Sequence, residues 1–221
     1  MQDGFIRVAA ATPPIRVADC RYNRDQILAL IQKAHREQVR LVIFPELCLS
    51  GYTCSDLFLS RVLLEGAGQA LLDLMAATAD LDLVCVVGLP IAAGSALYNA
   101  AAVFQKGRLL GLVPKRHIPN YAEFYEGRHF SPGPAAGGNP DNILFGGQTV
   151  PFGSDLLFTC REQPDFRLAL EICEDLWVPG SPSLDSAAAG ATVIGNLSAS
   201  DEIITKAAYR RLLVQSHSAR L

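Results

Sequence analysis

Short apolar runs rich in β-branched residues recur along the chain, and they alternate with stretches of helical periodicity. The runs at 39–44 and 83–89 have the length of strands and almost no polar positions, which is typical of strands buried on both faces. Residues 23–38 instead space their apolar side chains at helical intervals. This alternation indicates a layered α/β domain in which helices pack on sheets.

The same criteria predict the remaining elements. We expect further strands at 5–10, 96–105, 108–114, 156–159, 167–172 and 191–195, and further helices at 57–77, 184–189 and 201–213. Lys106-Gly107 between two of these strands predicts a hairpin. Residues 131–154 are rich in Gly, Pro and Asn, so we expect a surface loop there with a short strand at 149–152. The pattern predicts a mixed sheet or a pair of sheets.

The composition argues against several classes of partner. The chain carries 19 Lys or Arg and 22 Asp or Glu, which gives a net charge of −3. This balance excludes binding of nucleic acid or an anionic membrane by bulk charge, and the apolar runs are too short to cross a bilayer. Six cysteines without CxxC spacing and a start without a signal peptide predict a cytoplasmic protein. No Cys/His cluster has the spacing of a metal site.

Three predicted strands are followed directly by a polar side chain: Glu46, Lys115 and Cys173. An isolated Glu or Lys at such a place is usually a solvated surface group, and a lone Cys is usually a buried structural thiol. Together, however, a carboxylate, an ammonium and a thiol supply a base, an oxyanion partner and a nucleophile. The combination therefore makes these three residues candidates for a catalytic site.

Four motifs carry a resemblance to a known family: 44–52 (FPELCLSGY), 114–126 (PKRHIPNYAEFYE), 171–177 (EICEDLW) and 196–200 (NLSAS). In this order they resemble the nitrilase, or carbon–nitrogen hydrolase, superfamily. More narrowly, they are similar to the N-terminal glutaminase domains of glutamine-dependent NAD⁺ synthetases. The resemblance covers nearly all 221 residues and implies an α-β-β-α sandwich.

The resemblance also implies the roles of the site residues. Glu46 would be the general base, Cys173 would attack the side-chain carboxamide of L-glutamine, and Lys115 would stabilise the tetrahedral oxyanion. Glu123 matches an additional glutamate that many members place beside these three. Five further side chains are implied to hold or surround the substrate: Tyr121, Ser200, Lys206, Tyr52 and Phe124.

The partners follow from the same resemblance. The released ammonia would amidate deamido-NAD to NAD⁺ in an ATP-dependent synthetase domain, whose SGGxDS-type loop does not occur in this sequence. We therefore expect one glutaminase domain over 1–221, incomplete at its C-terminus. It would need no cofactor for its own step, and ATP and Mg would act only in the absent synthetase domain. The resemblance implies a homo-oligomer for the full-length protein.

Three other functions stay open on the sequence alone. A stand-alone amidase or carbamoylase would share the three catalytic groups but act on another small amide. A site like that of a cysteine protease would need a histidine base, for which His117 and His129 are available. A non-catalytic interaction domain would keep the fold without a reactive thiol.

Overall fold

The computed structural model describes residues 5–134 and 141–221. Its helices are α1 (Cys20–Arg36), α2 (Arg61–Ala77), α3 (Pro182–Ala188) and α4 (Lys206–Arg220), and 3₁₀ helices lie at Ser55–Leu59, Glu126–Arg128 and Cys173–Leu176. Its strands are β1 (Val8–Ala10), β2 (Leu41–Ile43), β3 (Val84–Ala93), β4 (Ala96–Gln105), β5 (Arg108–Pro114), β6 (Asp141–Phe145), β7 (Gln148–Phe152), β8 (Phe158–Cys160), β9 (Gln163–Ile172) and β10 (Val193–Leu197).

The strands form two mixed sheets. The larger sheet has seven strands in the order β1-β2-β3-β4-β5-β7-β6, and the smaller has three in the order β10-β9-β8. In the larger sheet β1, β2 and β3 are parallel, and β3, β4 and β5 form an antiparallel meander. In the smaller sheet β9 pairs in parallel with β10 and antiparallel with β8. The prediction of a pair of sheets is confirmed.

The two faces of the larger sheet bury different partners, because successive side chains of a strand point to opposite faces. On β4, Ala102 belongs to the same buried cluster as Ile27 of α1. The next residue, Val103, instead belongs to the cluster that contains Leu170 of the smaller sheet. Helix α3 packs on β9, and no side chain of α4 is fully buried. The layers therefore follow the order helix, sheet, sheet, helix, as the resemblance implied.

The structure differs at 131–154 from the predicted surface loop with one short strand. Strands β6 and β7 form a hairpin there, and β7 extends the larger sheet by pairing in parallel with β5. Gly146 and Gly147 connect the two strands and both have positive φ, which a tight hairpin turn requires. Phe145 packs against the buried cluster that includes Ala67 and Leu71 of α2, and a Cβ on Gly68 would lie 3.7 Å from its ring, so packing on this helix offsets the low strand propensity. Residues 135–140 lie outside the described residues.

Two helices differ from their predicted bounds by at least a full turn. The helix predicted at 57–77 is interrupted at Ser60, which has an extended conformation between the 3₁₀ helix and α2. The helix predicted at 201–213 begins only at Lys206 and continues to Arg220. Residues 198–203 are thereby left as a loop that follows β10 directly.

Gly88 of β3 lies directly against the segment that follows β2. A Cβ atom on Gly88 would come within 2.7 Å of the Pro45 carbonyl oxygen and 2.8 Å of the Glu46 carbonyl carbon. Because both are backbone atoms, they cannot rotate away, and we predict that Gly88→Ala lowers the free energy of unfolding by about 3 kcal/mol. Gly180→Ala is the control, since a Cβ there meets nothing within 4 Å. Urea unfolding measures both variants, and equal midpoints would contradict this packing.

Candidate active site

The ends of strands from both sheets meet at one edge of the sandwich. Glu46 lies shortly after β2 and Lys115 follows β5, both in the larger sheet, while Cys173 follows β9 in the smaller sheet. The exposed fractions of the three residues are 2%, 0% and 5%, respectively. The three residues that were predicted from their positions at strand ends therefore lie together in the interior of the protein.

The Lys115 ammonium is held between two carboxylates. Its Nζ donates to Glu46 Oε1 at 2.6 Å and to Glu126 Oε1 at 2.7 Å. The Asn99 Nδ2 donates to the same Glu46 oxygen at 2.6 Å, and the Tyr52 hydroxyl donates to Glu126 Oε1 at 2.6 Å. The result is a continuous buried network of one cation, two anions and two neutral donors.

The pKa values of the two central groups are shifted by this burial and by their mutual attraction. Desolvation raises the pKa of the Glu46 carboxyl above its ordinary value, and the Lys115 ammonium offsets only part of that rise. Desolvation acts to lower the pKa of Lys115, but Glu46 and Glu126 outweigh it, so the net shift is upward. Lys115 therefore stays a cation at neutral pH, whereas Glu46 is a stronger base than a solvated carboxylate.

Cys173 sits at a sharp turn from strand to 3₁₀ helix. Its φ is +46°, a conformation that residues with a Cβ rarely adopt and that clusters at functional sites. Burial raises the pKa of its thiol to about 12, and the charge of Glu46 adds to that rise. Lys115 acts in the opposite direction, as do hydrogen bonds from Ser198 and from the backbone of Ala199. The resting group is therefore a thiol that needs a base before it can attack.

The Asp175 carboxylate fixes the turn that carries Cys173. It accepts a hydrogen bond from the Ile172 backbone N–H at 2.9 Å and another from the His117 backbone N–H at 2.8 Å. The first bond closes the turn, and the second ties it to the segment that follows Lys115. Asp175 is 1% exposed, so this link between the two sheets is shielded from water.

The Ala199 backbone N–H connects the base to the nucleophile. It donates to Glu46 Oε2 at 3.0 Å, and it also acts on the thiol of Cys173. Ala199 belongs to the motif at 196–200, directly after β10. A strand end of the smaller sheet thus fixes the orientation of a carboxylate carried by the larger sheet.

The glutamate that lies beside Lys115 is Glu126 and not the predicted Glu123. The Phe124 N–H donates to the Tyr121 carbonyl at 2.9 Å, and this tight turn leaves Glu123 on the exposed side of the loop. The chain then folds back, and the 3₁₀ turn that begins at Glu126 directs that carboxylate inward to Lys115. Spacing along the chain could not choose between the two glutamates, because the choice depends on the path of the loop.

Three of the predicted substrate-binding residues, Tyr121, Phe124 and Lys206, form a cluster of side-chain contacts. The Tyr121 hydroxyl donates to the Glu174 carboxylate at 3.0 Å, and the rings of Tyr121 and Phe124 meet edge to face with centroids 5.8 Å apart. Lys206 Nζ lies 5.6 Å from the centroid of the Phe124 ring and forms an ion pair with Asp201. This cluster, called the charged mouth below, therefore combines aromatic rings with both signs of charge.

Ser200 and Tyr52 have different surroundings. The Ser200 hydroxyl lies 3.5 Å from Asp201 Oδ1 and is close to the Lys206 ion pair. Tyr52 lies deeper, where its hydroxyl contacts Glu126. The role of the five residues in substrate binding stays a prediction.

Neither candidate histidine is arranged as the base of a cysteine protease. The His117 ring bonds to Asp175 at 2.9 Å, and the His129 ring bonds to Asp56 at 3.0 Å. The carboxylate that acts on the Cys173 thiol is Glu46. The geometry therefore favours a carboxylate base.

Within residues 5–134 and 141–221, no group of three or more His, Cys, Asp or Glu side chains is placed to hold a metal ion. In the same part of the chain, no helix combines the length and apolar character needed to cross a membrane.

Comparison with known proteins decides the family. The family model described as carbon-nitrogen hydrolase matches residues 7–221. The chain belongs to the carbon–nitrogen hydrolase family. It is 46% identical over 219 residues to the glutamine-dependent NAD(+) synthetase of Mycobacterium bovis, which covers 99% of this chain and 32% of that protein. It is 32% identical over 202 residues to the Aquifex aeolicus protein of the same name, which covers 91% of this chain and 31% of that one.

Solved structures of carbon–nitrogen hydrolases share the fold. A glutamine-dependent NAD(+) synthetase from Cytophaga hutchinsonii matches with a TM-score of 0.83 and 30% identity, over 96% of this chain and 33% of that one. An amidase from Nesterenkonia sp. matches with a TM-score of 0.71 over 96% and 71% of the two chains; its 20% identity supports the fold alone. The chain spans about a third of the length of the curated relatives it matches.

Sequence reasoning missed four side chains of this carbon–nitrogen hydrolase site: Glu126, Asn99, Asp175 and Glu174. Three of them lie within the motifs at 114–126 and 171–177, so their membership of these motifs could have indicated that they belong to the site. Asn99 had one weaker signal, since it is a polar residue in the middle of the apolar strand β4.

The two glutamates of the 114–126 motif can be separated by experiment. Because Glu126 is a partner of Lys115, we predict that Glu126→Gln lowers the rate of amide hydrolysis by about 10- to 100-fold. Glu123→Gln is the matched control, and we predict a much smaller loss because that carboxylate is exposed. Ammonia release under substrate saturation measures both variants. A larger loss in Glu123→Gln than in Glu126→Gln would contradict the assignment.

Proposed function

We propose that this chain is a glutamine amidohydrolase domain that releases ammonia from L-glutamine through a thioester on Cys173. The observation that carries the proposal is the buried Lys115 ammonium, which contacts the Glu46 carboxylate at 2.6 Å beside a thiol on a strained turn. The family match supports amide chemistry, and relatives named glutamine-dependent NAD(+) synthetase support the choice of glutamine.

Acylation begins when Glu46 takes the thiol proton as Sγ attacks the carboxamide carbon of glutamine. The carbonyl electrons move to oxygen, and the Lys115 ammonium stabilises the oxyanion in a site from which water is largely excluded. The proton held by Glu46 then passes to the amide nitrogen as the C–N bond breaks. Ammonia leaves, and the γ-glutamyl group remains as a thioester on Cys173.

Deacylation uses the same groups a second time. Glu46 removes a proton from a water molecule that attacks the thioester carbon, and Lys115 again stabilises the oxyanion. Collapse of this second intermediate breaks the C–S bond and returns the proton from Glu46 to the thiol. The balance is glutamine and water to glutamate and ammonia, and no step uses a cofactor.

The charged mouth fits the amino-acid head of glutamine. Free glutamine carries an ammonium and a carboxylate at its α-carbon, about four bonds from the reacting carboxamide. Lys206 supplies a cation for the carboxylate, while Glu174 and Asp201 supply anions for the ammonium. Tyr121 and Ser200 add hydroxyl groups on the same side. A neutral amide has no charges that could use these groups, which favours glutamine over a simple aliphatic amide.

The use of the ammonia forms part of the same proposal. Free ammonia becomes protonated in neutral water and loses its nucleophilicity, so a glutaminase of this kind is useful when it delivers ammonia to a second site. The names of the relatives point to NAD⁺ synthesis, in which an ATP-dependent synthetase domain with Mg amidates deamido-NAD. All six cysteines are free, and we place the protein in the reducing cytoplasm.

Ammonia release tests this function directly. We expect the protein to hydrolyse L-glutamine in preference to L-asparagine and to butyramide, and Cys173→Ser to lower the rate at least about a thousandfold. A preference for butyramide would identify a stand-alone amidase instead. No release from any of the three amides would support the non-catalytic alternative.

A substitution of Lys206 tests more specifically how the α-carboxylate of glutamine is bound. We predict that Lys206→Met lowers kcat/KM for glutamine by about 10- to 100-fold, mainly through KM, and changes butyramide hydrolysis little. Arg210→Met is the matched control, because this cation lies one turn further along α4 and pairs with the exposed Glu202. Equal effects of Lys206→Met on both substrates would contradict a role in binding the α-carboxylate.

A further inference from the structure

Asn99 connects three parts of the buried network. Its side-chain Nδ2 donates to Glu46 Oε1 at 2.6 Å and lies 3.4 Å from Glu126 Oε2. Its backbone carbonyl accepts the N–H of Lys115 at 2.8 Å. Asn99 is 0% exposed and lies on β4, between the strands that lead to the base and to the lysine.

The orientation of the Asn99 amide follows from its neighbours. Ionised carboxylates only accept hydrogen bonds, so the NH₂ group must face Glu46 and Glu126 and the carbonyl must face away. In that orientation, Asn99 Oδ1 is the one fully buried side-chain nitrogen or oxygen without a hydrogen-bond partner among residues 5–134 and 141–221. An unpartnered buried acceptor is destabilising, so stability alone does not explain an asparagine here.

We propose that Asn99 is a positioning residue for the general base: its amide holds the carboxylates of Glu46 and Glu126 on one ammonium. This inference rests on the proposed function. The bond to Oε1 leaves Glu46 Oε2 on the Ala199 N–H, the same N–H that acts on the Cys173 thiol. Asn99 thus fixes which carboxylate oxygen is directed towards the nucleophile.

The amide also keeps the base free of a proton. The titratable groups that act on Glu46 are Lys115 and Glu126, and Cys173 and Tyr52 sense its charge in turn. Two carboxylates share a single ammonium, so each additional donor to Glu46 makes it easier for that carboxylate to remain ionised. The hydrogen bond from Asn99 lowers the pKa of Glu46 and so offsets part of the larger rise that burial causes. Without that donor, Glu46 would take up a proton at higher pH and could no longer accept one from the thiol.

The test is the pH dependence of two rates in Asn99→Leu, a variant of similar volume without the donor. One rate is kcat/KM for glutamine, and the other is alkylation of Cys173 by chloroacetamide, followed by mass spectrometry. We expect the acid limb of both profiles to move up by about one pH unit, with up to about tenfold lower rates on that limb. Asn142→Leu is the matched control, because Asn142 is an exposed asparagine on the edge strand β6.

A second variant keeps the proposal testable if Asn99→Leu does not fold. In Asn99→Asp, a protonated carboxyl can still donate to Glu46, and the variant should lose activity on the alkaline side as that proton leaves. The proposal would be overturned if the variants that fold kept the acid and alkaline limbs of the wild-type pH profile, even if their rates were uniformly lower. If the wild-type protein releases no ammonia from glutamine, the proposed function fails, while the alkylation profiles still decide the role of Asn99.

Discussion

The burial of one ammonium group is the constraint on which the rest of the site depends. Lys115 is 0% exposed, and a buried ion pair that loses one partner is destabilised by about 3–5 kcal/mol. Glu46 and Glu126 therefore have to stay within 2.6 and 2.7 Å of its Nζ. Because two carboxylates exceed one ammonium in charge, the cluster also needs neutral donors, and these are Asn99, Tyr52 and the Ala199 N–H.

The two-sheet architecture supplies these groups from independent directions. The larger sheet carries the Glu46 carboxylate and the Lys115 ammonium, and the smaller sheet carries the Cys173 thiol. Two residues at these strand ends have a strained backbone: Leu47, next to Glu46, has φ +50°, and Cys173 has φ +46°. Such conformations persist where the surroundings fix them. Here Gly88 leaves room for the first turn, and Asp175 closes the second.

The sequence predicted what depends on strand ends and failed on what depends on loop paths. Glu46, Lys115 and Cys173 each follow an apolar strand, so the layered fold alone brings them near one edge. Glu123 and Glu126 lie three residues apart in one loop, and only the turn at 121–124 decides which of them faces inward. The hairpin at 141–152 was missed for a related reason, since packing on α2 outweighs its composition rich in Gly and Pro.

The most direct test of the account is the mass of the protein after incubation with a glutamine-analogue alkylating agent, with and without excess glutamine. The account predicts one adduct, located by peptide mapping on Cys173, and slower labelling when glutamine is present. The other five cysteines, including the partly exposed Cys160, serve as internal controls. Labelling of Cys173 no faster than that of Cys160, or a Cys173 adduct that glutamine does not suppress, would contradict the account.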